Sequence, residues 1–242
     1  MKNITIISAF IIAISFGQAF GQMVPEPRAT EVWGKEPVKV TPGENGSPPS
    51  DAIILDHSAW ESIDGGENKW DNQDGVMTIK PGSKDIRTKK SFGDVQLHVE
   101  WRIPELGPEF KDQDRGNSGV YLQQFYEVQV LDSYTNKTYN NGQAGSLYKQ
   151  YIPLVNATKP AMEWQTYDII YTAPHFGKNG TVISPARMTV LHNGVLIQNN
   201  VSLLGPTVYI GAPAYEPHGN LPIYLQDHNH KVSYRNIWVR EL

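Results

Sequence analysis

From Asp94 to Ile103 the chain alternates: Val95, Leu97, Val99, Trp101 and Ile103 are apolar, while Asp94, Gln96, His98, Glu100 and Arg102 are polar. A repeat of two puts one set against a core and the other toward water or a cleft, so the segment predicts a strand. Shorter runs of the same kind predict strands over 52–55, 76–79, 119–123, 126–131, 167–172, 187–192, 195–198, 208–210, 223–226 and 232–240. Asn193-Gly194 separates two of them and predicts a tight hairpin, because a type I′ turn needs positive φ at both central positions. Asp74-Gly75 and Asn179-Gly180 mark further turns, and Asp64-Gly65-Gly66 a loop. No long stretch repeats every 3.6 residues; the best helical candidate is short, over 143–150. Many short strands, regular turns and no internal repeat predict an all-β domain, an antiparallel sandwich or barrel.

The chain ends modify this picture. Lys2 precedes an apolar run from Ile4 to Phe16, with Ala19 and Gly21 at −3 and −1 if cleavage falls before Gln22. That pattern predicts a signal peptide over 1–21, and export to the periplasm or the exterior. The run is short of the ~20 residues that span a bilayer, so no stable membrane insertion is expected after cleavage. Six of the 17 prolines fall between Met23 and Ser50, which predicts an extended arm or linker over 22–51 and a folded domain over 52–242.

Charge and composition remove several function classes. With 21 Lys+Arg against 25 Asp+Glu, a nucleic-acid partner is not expected. The absence of cysteine excludes a disulfide framework, a thiolate metal site and a thiol nucleophile.

The densest candidate chemistry lies in Tyr126-Glu127-Val128-Gln129-Val130-Leu131-Asp132. Glu127 and Gln129 share one strand face; Asp132 joins them only if the strand bulges. A carboxylate on such a face marks either the solvated side of a sheet or a cleft, and the polar neighbours favour the cleft. Arg115-Gly116-Asn117-Ser118-Gly119 leads into the strand before it, and its glycines permit a tight turn and close backbone approach to a ligand. Tyr148 offers a phenol, Gln226 and His228 end a later strand, and Arg235 is a possible carboxylate partner.

Asn-Ser-Gly-Val-Tyr-Leu (117–122), the 126–132 stretch, His192-Asn193-Gly194, Leu-Gln-Asp-His (225–228) and Tyr-Arg-Asn-Ile (234–237) stand in the order that resembles the 3-keto-disaccharide hydrolase family. The resemblance covers roughly residues 52–242. It implies a concanavalin-like jelly-roll sandwich of two antiparallel sheets with few short helices, and an exported enzyme of carbohydrate catabolism acting on an oligosaccharide or glycoside. Laminarinase-type β-glucanases, a more distant likeness, carry Glu-x-Asp-x-x-Glu where this chain has Glu127, Gln129 and Asp132. An amide in the middle and a shorter last acid count against a retaining pair, which needs carboxyls ~5 Å apart.

The family likeness implies cleavage by elimination. A keto group at sugar carbon 3 acidifies the hydrogen on carbon 2, and the glycosidic oxygen on carbon 1 leaves. The sequence offers Glu127 as first choice of base and His228 as second, Arg115 or Arg235 for the enolate, and Tyr148 or Asp132 for the leaving group. Asn117, Gln129 and Gln226 are expected to hold hydroxyls. A divalent metal is another electrophile, with His228, Asp227, Glu127 and Asp132 as available ligands, and structural calcium is conceivable; no organic cofactor is implied. The rival readings are a carbohydrate-binding module, a conventional β-glucanase and an adhesion domain on the same sandwich.

Overall fold

The computed structural model describes residues 26–242. The expected signal segment, 1–21, lies outside them. Residues up to Lys39 form one unit, whose described part carries a 3-10 turn at Pro27–Thr30. Val40–Leu242 forms the other, the sandwich.

Fifteen strands occur among the described residues: β1 (Ile53–Ile54), β2 (Trp60–Ser62), β3 (Asp71–Gln73), β4 (Val76–Thr78), β5 (Ile86–Phe92), β6 (Val95–Arg102), β7 (Ser118–Leu122), β8 (Tyr126–Val130), β9 (Gln165–Thr172), β10 (His175–Phe176), β11 (Val182–Ser184), β12 (Arg187–His192), β13 (Val195–Ser202), β14 (Leu221–Leu225) and β15 (Ser233–Glu241). An eight-stranded sheet runs β13-β12-β9-β6-β15-β4-β3, with β1 on β15; a five-stranded sheet runs β2-β5-β14-β7-β8. Both are antiparallel, and β10 and β11 form a separate ribbon. This is the expected all-β jelly-roll sandwich.

Alternation explains the core. Val95, Leu97, Val99 and Trp101 of β6 are fully buried, as are Tyr167, Ile169 and Tyr171 of β9. From the five-stranded sheet Val120, Leu122, Tyr126, Val128 and Val130 meet them. Phenols cross the interior to polar partners: Tyr167 donates to the Gln129 carbonyl at 2.7 Å, Tyr171 to Gln123 Oε1 at 2.8 Å, and Ser118 Oγ lies 2.6 Å from the Tyr234 hydroxyl. Such buried groups cost free energy unless paired, and here they also tie the two sheets together.

The expected turns are present. Asn193 and Gly194 adopt φ of 51° and 78°, and Asp74 and Gly75 close β3 onto β4 in the same way. Two expectations fail. Residues 143–150 are not helical: Leu147 bridges Val128 and Tyr151, and the nearby 3-10 turn is Asn140–Gly142. Residues 208–210 form a loop. On the polar side of β6, Gln96 and Arg102 are half-buried, while His98 and Glu100 are buried in a network with Asp168, Arg235 and Asn236. Part of the Pro-rich stretch covers that network: the Gly46 carbonyl accepts from Asn236 at 2.8 Å and from Trp238 at 3.1 Å.

Candidate active site

On the face of the five-stranded sheet away from the core, register brings distant residues together. Tyr121 of β7 pairs with Glu127 of β8 and with Tyr224 of β14; Gly119 pairs with Gln129. Gln226 continues from β14, its N–H donating to the Gly119 carbonyl at 3.1 Å. Beyond β8 the chain at 145–148 adds a further rung: Gln129 and Tyr148 donate their backbone N–H groups to Ser146 and Glu127. Tyr148 therefore stands beside Glu127.

These residues floor a hollow of about 560 Å³, within the ~300–1,000 Å³ typical of small-molecule sites. Glu127, Gln129, Asn117 and Gln226 line it, with Tyr121 below and Gln113 at one end. Tyr139, Tyr148, Lys149, Thr207, Tyr209 and His228 form its walls and mouth. The polar floor is organised in advance. Gln129 Nε2 donates to Asn117 Oδ1 at 3.0 Å, and Asn117 Nδ2 to the Gln113 carbonyl at 2.8 Å.

Glu127 is the electrostatic centre. It is 3% exposed, and burial pushes its carboxyl up to about 8; a hydrogen bond from Tyr121 pulls the other way. Burial also raises the phenol of Tyr148, whose hydroxyl lies 2.6 Å from that of Tyr139, so it stays protonated at ordinary pH. The absence of a side chain at Gly119 makes room for this arrangement. A Cβ there would stand 2.6 Å from Glu127 Oε1 and 2.7 Å from the Tyr121 ring. Gly119 thus accommodates side chains of the site. Gly119→Ala should displace the carboxylate by a few tenths of an ångström or more and cut turnover ~10²-fold, with a near-parental circular dichroism spectrum. Parental turnover in that variant would show that the position of Glu127 is not critical.

Six of the nine sequence-based candidates line this hollow: Glu127, Gln129, Asn117, Tyr148, Gln226 and His228. Three do not. β8 keeps regular register and ends at Val130, so no bulge turns Asp132 toward the hollow. Asp132 is buried and accepts from Arg115 Nε at 2.8 Å. Arg115 spends its remaining reach on the carbonyls of Gly107 and Phe110, which closes a loop. Arg235 belongs to the other sheet, 2.6 Å from Glu100 and stacked on Trp164. Sequence reasoning missed Gln113, Tyr121, Tyr139, Lys149, Thr207 and Tyr209. Tyr121 was findable from its place two residues after Gly119; the other five come from loops and a short 3-10 turn.

The metal option does not fit the residues. Asp132 is consumed by Arg115, and among the described residues no three His, Asp or Glu side chains converge as a ligand set.

A family model described as a 3-keto-alpha-glucoside-1,2-lyase-like domain matches residues 54–240. The chain belongs to this family. A crystal structure of a protein from Parabacteroides distasonis ATCC 8503, provisionally assigned as a glycosyl hydrolase, is 48% identical; the match covers 90% of this chain and 97% of that one, with a TM-score of 0.85. A second protein of that organism, with the same provisional assignment, is 22% identical over 79% of this chain and 94% of that one, with a TM-score of 0.57, and shows the fold alone. No curated protein matches the chain. Several segments that carry the sequence resemblance are scaffold in this lyase-like domain: His192 is buried, its ring tilted 5.6 Å from that of Trp101, and Asn236 holds the arm.

Proposed function

We propose that the protein cleaves the glycosidic bond of 3-keto-disaccharides or 3-keto-glucosides by elimination followed by hydration. One observation carries the reading: among the residues lining the hollow, Glu127 is the sole carboxylate. Direct displacement at the anomeric carbon, retaining or inverting, uses two carboxyl groups astride the bond. Elimination uses one base, an electrophile and a proton donor.

In this reading the Glu127 carboxylate removes the hydrogen on carbon 2. The electron pair moves onto the keto oxygen at carbon 3 as the enolate forms. As the carbonyl re-forms, the bond from carbon 1 to the glycosidic oxygen breaks, and that oxygen takes a proton from Tyr148, whose phenol stays protonated. The products are the released alcohol or sugar and an unsaturated 3-keto sugar. Water then adds at carbon 1, so the net reaction is hydrolysis. Asn117, Gln129 and Gln226 hold ring hydroxyls. A carboxyl raised to about 8 is a stronger base than an ordinary glutamate, which suits abstraction from carbon. Export to the periplasm or exterior belongs to the same proposal and is supported by the pattern at 1–21.

The test is a time course with a 3-keto-glucoside and its unoxidised parent, across pH. Release only from the keto substrate is expected. Because the base acts ionised, kcat/KM should climb about tenfold per pH unit below ~8 and level off above it. Release from the unoxidised glucoside, or a rate that falls as pH rises through 8, would overturn the assignment; binding without release would make the domain a carbohydrate-binding module.

A further inference from the structure

With Arg115 and Arg235 engaged elsewhere, the enolate oxygen of the proposed reaction needs another partner. Lys149 is the lysine on the wall of the hollow, and no arginine lines it. Its backbone φ is +58°, a left-handed conformation that a residue with a Cβ adopts at a cost. A hydrogen bond from its N–H to the Asn141 carbonyl at 2.8 Å holds it there. Nζ donates to the Tyr209 carbonyl at 2.7 Å and stands 4.1 Å from the Tyr209 ring centroid. The rings of Tyr139 and Tyr148 lie 5.6 and 5.8 Å away. Tyrosine ring faces surround the ammonium, and it has donors to spare after one hydrogen bond. Strain of this kind gathers where a side chain must be presented at a site.

We propose that Lys149 is a catalytic residue: its ammonium donates a hydrogen bond to the oxygen on carbon 3 as the enolate develops. No bond to Lys149 forms or breaks, and its proton stays on nitrogen. This rests on the elimination reading. A simpler role, strapping the loop at Tyr209, predicts something different.

Lys149→Met should lower turnover of a 3-keto-glucoside ~10²- to 10³-fold, the usual cost of one oxyanion donor. Its affinity for a 3-deoxy-3-nitro-glucoside, ionised to a nitronate that carries negative oxygens at position 3, should fall by a similar factor. Affinity for the unoxidised glucoside should change less than about threefold. Lys149→Gly should show the same losses with a urea midpoint no lower than the parent, since glycine relieves the left-handed backbone; this separates the effect from misfolding. Equal loss of nitronate and glucoside binding would leave Lys149 as a loop strap only. Undiminished turnover in Lys149→Met, or borohydride fixing the keto sugar onto Lys149 as an imine, would also overturn the proposal. A parent protein inert toward the 3-keto-glucoside would defeat the elimination reading instead, and nitronate binding would still judge Lys149.

Discussion

Glu127→Gln should lose at least ~10³-fold in turnover of a 3-keto-glucoside while becoming harder to unfold. The activity loss follows from replacing the base by an amide of nearly the same shape, which cannot accept a proton at this acidity. The gain in stability follows from burial. In the unfolded chain the carboxyl ionises near 4.5; in the folded protein burial moves this to about 8. Between those values the folded state binds a proton that the unfolded state releases, so stability falls as pH rises from 4.5 toward 8. Near pH 7 the penalty is on the order of 3 kcal/mol, at ~1.4 kcal/mol per unit. A neutral amide escapes most of it. Melting measured at pH 5 and pH 8 should show the variant's advantage growing with pH. Near-parental turnover would remove Glu127 from the chemistry, and a pH-independent difference in melting would contradict its buried ionisation.

The opposite pairing of effects is expected at Asp132. Asp132→Ala removes one partner of a largely buried ion pair and leaves the Arg115 guanidinium without its carboxylate. Breaking such a pair costs ~3–5 kcal/mol, because the remaining charge was desolvated for a partner that has gone. Urea denaturation should show a loss of that size, with m unchanged. Turnover per folded molecule should stay within a few-fold of the parent, since Asp132 does not line the hollow. A variant of parental stability and lost turnover would return Asp132 to the mechanism.

The two aspartate and glutamate positions show what the sequence could and could not reveal. Period-two alternation put Glu127 and Gln129 on one face because β8 is regular, and that same regularity denies Asp132 the bulge it needed. Spacing within a strand is local and legible. β6 was readable for the same reason, whereas β5, Ile-Arg-Thr-Lys-Lys-Ser-Phe, hides its buried Ile86, Thr88 and Phe92 among exposed lysines at Lys89 and Lys90. The walls of the hollow are not local. Tyr139 and Tyr209 lie far apart in the chain, on segments without regular hydrogen bonding, and meet around Lys149 through tertiary packing alone. The alternation turned His98 and Glu100 toward water or a cleft; the arm around Gly46 covers them, and an aperiodic segment gives no sign of where it will lie.

The phenols that span the interior have a consequence for anyone wishing to adapt the protein to a different sugar. The carbonyl of Gln129 is gripped from behind by Tyr167, and the start of β7 by Tyr234 through Ser118, so the cavity floor is anchored in the opposite layer. A mutagenesis library restricted to cavity-facing positions would leave those rear anchors untouched and keep the floor rigid. One that strays into β9 or β15 would loosen the pedestal on which the carboxylate stands, without ever touching the sugar.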